Sequence, residues 1–179
     1  MTFSCVFSIL VCGVPRKSEY IMQVCFIGHR FIEKNEELVA SLKNTISTLI
    51  KKGATTFLFG SMSQFDNLSW EIVTTLKKEH PYIKRVYVRS NYPHIDKSYE
   101  EYLLKSYEET YFPSRLEKAG KYAYVERNYE MIDKSSYCVF YYNEKYEVPL
   151  KPSTQTNSGT KIAYEYAVKR KKEIINLYK

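Results

Sequence analysis

Three stretches of this chain combine small, backbone-exposing residues with polar side chains. "CFIGHR" closes an apolar run on Gly28 and follows it with His29 and Arg30. "TTFLFGS" closes another on Gly60 and Ser61, and "TNSGT" carries Ser158, Gly159 and Thr160 into a helical pattern. A guanidinium such as Arg30 meets phosphate or carboxylate through a two-pronged fork. His29 can contact the same anion, or it can make a structural hydrogen bond at the turn. In "NSGT", Asn157 or Ser158 can cap the helix, Gly159 admits close backbone approach and Thr160 adds a hydroxyl. Free N–H groups and the helix dipole then favour an anion, although any capped helix start shares this composition. Asp66 and Glu71 follow the second stretch on a helical pattern. Asp66 near that helix's start can serve the dipole or bind a ribose hydroxyl. The two are also the carboxylates that could attack or stabilise an oxocarbenium-like centre. Arg127, on a helix patterned with tyrosine and valine, reads as a solvated cation, Asp133 as a cap on the following turn, and Trp70 as core or interface.

The elements that must position these residues alternate. "QVCFIG" (23–28), "TTFLFG" (55–60), "RVYV" (85–88), "YCVFYY" (137–142) and "EIINLY" (173–178) are strand-like apolar runs. Between them lie helical patterns: Glu33 to Lys52 with Gly53 as a stop, then Phe65, Leu68, Ile72 and Leu76 closed by His80-Pro81. Tyr122, Val125, Tyr129 and Ile132 mark another, and Ser158 to Lys171 the last. The polar, Tyr-rich segment 91–118 predicts a short helix near 97–109 and otherwise a lid or an oligomer surface. Residues 143–157 read as a loop. Short strands alternating with helices of a dozen residues predict βαβ units. The expected fold is α/β, a three-layer sandwich around a mainly parallel five-stranded sheet. Ligands in such sheets bind outside the carboxyl ends of the strands, where strand order reverses. All three stretches are expected at that edge.

Composition bounds the rest. The chain has 179 residues, 44% of them hydrophobic, which suits one domain. Its net charge of +7 suits an anionic ligand or a polyanion, but the basic residues are spread out, and the 18 tyrosines accompany many lysines, isoleucines and asparagines. Lys169 to Lys172 is a basic run that equally stabilises a helix C-terminus. Cys5, Cys12, Cys25 and Cys138 form no CxxC pair, so neither a zinc site nor a disulfide framework is indicated, and a reducing cytoplasm is the expected setting. No metal or cofactor is indicated. Residues 1–21 are apolar but too short to span a bilayer and lack a basic start. They are read as an extension outside the fold, which begins at Met22 and covers 22–179.

"CFIGHR", "FGSMSQFD", "ERNYEMIDKSSYCVFYYN" and "SGTKIAYEYAVKRKKEIINLY", in this order, resemble the SLOG superfamily of Rossmann-like domains, and within it the YpsA-like family. That resemblance implies a nucleotide-derived ligand, a nucleoside phosphate or an ADP-ribose-like molecule, as partner, and homo-oligomers as in many relatives. It places Gly28, Arg30, Gly60, Ser61, Asp66, Arg127 and Ser158 to Thr160 around the ligand. More distant likenesses differ at informative positions. The LOG phosphoribohydrolases carry Arg-Lys-x-x-Met, and here "RNYEM" has Asn128 for the lysine. Three residues after Thr160, where their catalytic carboxylate is expected, stands Ala163, and Glu165 lies about 200° further round the helix. The DprA proteins carry a Gly-rich motif after the second strand. Here Gly60 and Asp66 match it, but Gln64 replaces its second glycine. The resemblance therefore implies ligand binding or sensing first. N-glycosidic hydrolysis or transfer and single-stranded nucleic-acid binding are the alternatives.

Overall fold

A computed structural model describes residues 21–60, 63–146 and 158–179. The first strand, β1 (Met22–Gly28), holds Val24 to Ile27 with at most 4% exposure, so both of its faces are covered. Asn35 caps α1 (Glu36–Lys51): its side chain accepts from the Leu38 N–H at 2.8 Å. Gly53 follows in the left-handed region at φ 104°, a conformation that favours glycine. After β2 (Ala54–Phe59), Ser63 caps α2 (Gln64–Lys77) by accepting from the Asp66 N–H. Then come β3 (Lys84–Val88), α3 (Lys97–Leu104), β4 (Glu109–Tyr111), α4 (Ala123–Lys134), β5 (Tyr137–Tyr141), α5 (Gly159–Lys169) and β6 (Glu173–Asn176).

The strand order is β4-β3-β2-β1-β5-β6, and every recorded pairing is parallel. The chain builds outward from β1 to β4, then returns to lay β5 on the other side of β1. Strand order therefore reverses between β1 and β5. Helices α1 and α2 cover one face, over Phe26, Phe57 and Phe59, with Phe65 of α2 packed among them. Helices α4 and α5 cover the other, over Cys25, Ile27, Leu58 and Phe140, with Met131, Ile132, Ala163 and Ala167 packed on them. Alternation along β1 sends Val24 and Phe26 to the first core and Cys25 and Ile27 to the second.

The sheet has six strands, not the expected five. The extra one is β4, in the segment read as a lid. Its three residues pair with β3 in the register Val86↔Glu109, Tyr87↔Thr110, Val88↔Tyr111. "ETY" is partly exposed and carries no apolar run, so hydropathy gives no signal. It is held by backbone pairing and by Glu108, whose carboxylate accepts from the Arg85 backbone N–H at 2.6 Å and from the Arg85 Nη2 at 2.7 Å. The same carboxylate faces Lys77 at 3.7 Å. Trp70 is neither wholly core nor free surface. Its indole N–H donates to the Ser106 carbonyl at 3.2 Å, and the Arg85 guanidinium lies over its ring.

Candidate functional site

Two groups of polar residues gather at the carboxyl ends of the strands. The first spans the reversal between β1 and β5. The His29 backbone N–H donates to the Tyr141 carbonyl at 3.3 Å, and its ring Nε2 lies 2.9 Å from the Asn143 N–H, from which it accepts when bare, and 3.2 Å from the Asn143 carbonyl, to which it donates when protonated. The ring is 1% exposed and stacks on Tyr146 at 3.8 Å. With Nε2 accepting, the neutral imidazole carries its proton on Nδ1, a buried atom with no hydrogen-bond partner among the described residues. The structural turn bond anticipated for His29 is thus present, and it joins the exits of β1 and β5.

Burial lowers the pKa of His29 below its ordinary 6.5, and donation from the protonated ring to the Asn143 carbonyl, 3.2 Å away, opposes that. Below about pH 6.5 the unfolded chain takes up a proton that the folded one refuses, so stability falls as the pH drops through that value. Urea unfolding midpoints measured at pH 7 and pH 5 are expected to differ more for the wild type than for His29→Gln.

The start of α5 faces the same edge. Ser158 Oγ accepts from the Lys161 N–H at 3.1 Å, Thr160 is buried, and a Cβ placed on Gly159 would meet nothing within 4 Å. Arg30 is exposed. Its carbonyl accepts from the Gln64 N–H at 2.9 Å while Gln64 Oε1 accepts from the Ile32 N–H at 3.0 Å, tying the exit of β1 to the start of α2. Gly28 serves packing: a Cβ there would stand 2.5–2.6 Å from Phe65.

The second group surrounds Arg127. Although its helix pattern suggests a solvated cation, the guanidinium is 3% exposed. Nη1 donates to the Gly60 carbonyl, and Nη2 donates to Asn128 Oδ1 at 3.1 Å. Gly60 makes this seat possible, since a Cβ there would lie 2.8 Å from the Arg127 side chain and 2.9 Å from the Val88 carbonyl. Burial lowers the Arg127 pKa, and the negative charge of Asp66, itself 2% exposed, opposes that. Tyr124 lies under the guanidinium at 5.5 Å, and Tyr87 sits nearby with its ring 5.1 Å from that of Tyr107. Burial, then the charge of Asp66, pushes the Tyr107 phenol well above its usual range.

Glu71 is not part of either group. It is exposed, pairs with Lys34 at 3.4 Å, and lines a surface groove of about 420 Å³ with Ile32, Gln64, Asn67 and Leu68. Asp66 points into the protein and Glu71 out of it, so the two carboxylates do not converge. Ser61 lies outside the described residues. Asp133 exceeds the expected cap: Oδ2 accepts from Tyr166 at 2.8 Å and from Arg115 at 3.0 Å, and Oδ1 accepts from Arg170 at 2.9 Å. Tyr87, Tyr107, Tyr124 and Asn143 join the two groups without having been singled out by the sequence. "YN" at the end of the β5 run was the available hint for Asn143. Tyrosines are so frequent here that three more carry no signal.

No family model matches the chain, and no curated protein matches it. One solved structure that it resembles is DNA processing protein A from Helicobacter pylori, determined in a study of that protein's single-stranded DNA binding mode. The two are 16% identical, and the likeness covers 86% of this chain with a TM-score of 0.51. The fold is Rossmann-like. This Rossmann-like chain spans 63% of the length of its structural neighbour. Among the described residues no helix is long and apolar enough to cross a membrane.

Proposed function

We propose that the carboxyl ends of the strands bind a nucleotide-derived ligand, a nucleoside phosphate or an ADP-ribose-like molecule. The observation that carries this reading is the buried Arg127, seated on Gly60 at the exit of β2 with Asp66, Tyr87 and Tyr124 around it. A fixed cation among phenol rings offers charge to phosphate and flat faces to a base. The reversal of strand order beside it opens the crevice in which such sheets hold ligands. The capped start of α5, with Gly159 open to solvent, supplies backbone N–H groups for an anion. The divergence of Asp66 and Glu71 makes glycosidic hydrolysis or transfer the weaker interpretation.

A thermal-shift panel with AMP, ADP-ribose, NAD and cyclic nucleotides tests the proposal. A ligand at a hundredfold over its Kd stabilises the fold by about 2.7 kcal/mol. The shift is expected with one nucleotide class and is expected to vanish in Arg30→Ala and Gly159→Asp, both exposed positions where folding is unaffected. Absence of any shift across the panel overturns the proposal.

A second reading, single-stranded nucleic acid, is favoured by the net charge of +7 together with the exposed Tyr124 beside Arg127. The structural neighbour is a protein whose single-stranded DNA binding has been studied. On this reading affinity falls steeply with added salt.

A further inference from the structure

We propose that Tyr92, Tyr99, Tyr102 and Tyr124 form a platform on which successive bases of a single-stranded nucleic acid stack as the strand leaves the crevice at Arg127. The proposal rests on the second reading above and gives it a surface.

The tyrosines are 66%, 38%, 63% and 56% exposed, although each carries a ring that burial would favour. They are not scattered. The Tyr92 and Tyr99 rings meet edge to face at 6.4 Å, and those of Tyr99 and Tyr102 lie near-parallel at 6.1 Å. The platform is also held in place. Tyr92 has φ 59°, a left-handed conformation uncommon for an aromatic residue, which persists where surrounding contacts enforce it. Those contacts are present: Arg89 Nη1 donates to the Tyr92 carbonyl, and the Arg89 backbone N–H donates to the Tyr111 carbonyl of β4 at 2.9 Å. Asp96 fixes the other ring pair by capping α3, accepting from the Tyr99 N–H at 2.8 Å.

The platform is continuous with the strand-end site. Asn91 Nδ2 donates to the Tyr124 hydroxyl at 3.2 Å, and the ring of Tyr124 underlies Arg127. A path therefore runs from Gly60 through Arg127 and Tyr124 to Asn91, whose chain neighbour Tyr92 meets Tyr99 and, through it, Tyr102.

The charge decides the occupant. On α3, Lys97 pairs with Glu101 at 3.8 Å, and with Asp96, Glu100 and Lys105 the helix and its caps sum to a single negative charge, so the attraction for a polyanion comes from the chain around the platform. Lys121 lies over Tyr122 at 5.2 Å on the flank. The chain as a whole is +7, which repels a second copy of itself and attracts a polyanion. Stacking on tyrosine needs no sequence preference, because every base has a π-face.

Fluorescence anisotropy of the full chain with labelled oligothymidylates of increasing length tests the platform, alongside the thermal shift with AMP. Tyr99→Ala and Tyr102→Ala are each expected to weaken oligonucleotide binding about tenfold, and the Phe variants at the same positions to stay within about twofold, because the ring is kept. The AMP shift is expected to be unchanged in all four. Equal oligonucleotide affinity for the Ala variants and the wild type overturns the platform. So does affinity that does not rise with oligonucleotide length while AMP still binds, an outcome that leaves the strand-end site standing. A wild type that binds no oligonucleotide overturns both the platform and the nucleic-acid reading. Self-association that disappears in the Ala variants while oligonucleotide binding does not change also overturns it, and assigns the surface to a second copy.

Discussion

Arg127→Met is expected to lower the stability of the fold by about 1–3 kcal/mol, because a buried carbonyl loses its donor and the buried Asp66 carboxylate loses a neighbouring positive charge. The guanidinium is 3% exposed and Asp66 2%, so water replaces little of what is lost. The Gly60 carbonyl loses its donor in the same substitution. A thermodynamic cycle separates these contributions. Asp66→Asn alone removes the negative charge that opposes the cost of burying the arginine and is also expected to destabilise. The double variant Arg127→Met/Asp66→Asn buries no net charge and is expected to recover much of the deficit. Chemical denaturation of the four proteins gives the coupling directly. If the two single losses simply add, Asp66 and Arg127 do not act on each other, and the site's electrostatic account fails. Because the substitution acts on the fold, ligand experiments on Arg127 variants need a folded fraction measured beside them. For that reason Arg30 and Gly159 are the better probes of binding.

Gly28→Ala is expected to destabilise by at least about 3 kcal/mol, at the upper end of overpacking. The added methyl would stand 2.6 Å from Phe65 Cβ, 2.6 Å from Cγ and 2.5 Å from Cδ1. Phe65 is fully buried between β1 and Tyr141, whose ring lies 5.7 Å away. A flexible side-chain tip could step aside, but a Cβ moves only with its backbone. Trimming the ring therefore does not rescue: Gly28→Ala/Phe65→Ala is expected to be less stable than Gly28→Ala, since it adds a cavity and keeps the clash at Cβ. A rescue by Phe65→Ala would show that α2 seats on β1 more loosely than its geometry implies. Gly159→Ala is the internal contrast, as nothing stands within 4 Å of the added methyl and no loss is expected.

Gly28 and Gly60 show how far the residues themselves carry the reading. Gly28 and Gly60 end runs so uniformly apolar that a buried parallel strand is the plain reading, and β1 and β2 sit where that pattern puts them. The polar start of α5 is equally legible, because a cap is a local device: Ser158 serves an N–H three residues on. What each glycine is for is not local. The neighbour that needs Gly60 bare is Arg127, 67 residues later, and no periodicity links them. The same holds for β4, which is stabilised by pairing with β3 and by Glu108 on Arg85, and not by its own composition. Asp66 and Glu71 fall between these cases. Five residues on a helix put them about 140° apart, so their divergence could be deduced before any coordinates.

The return of the chain from β4 to β5 has a kinetic consequence. The contacts that join β1 to β5 close a very long loop: His29 and Asn143 are 114 residues apart in sequence. Strands β1 to β3 and their helices need far shorter closures and can assemble first. Until β5 arrives, β1 is an open edge. Cys25 then faces no Cys138, and Phe26 and Ile27 present unpaired backbone from an apolar strand. Such an edge is a template for another chain. A ribosome that has released only the first half of this protein therefore carries its most aggregation-prone surface at the strand that ends the mature fold's ligand crevice, and slow synthesis of residues 90–140 prolongs that exposure.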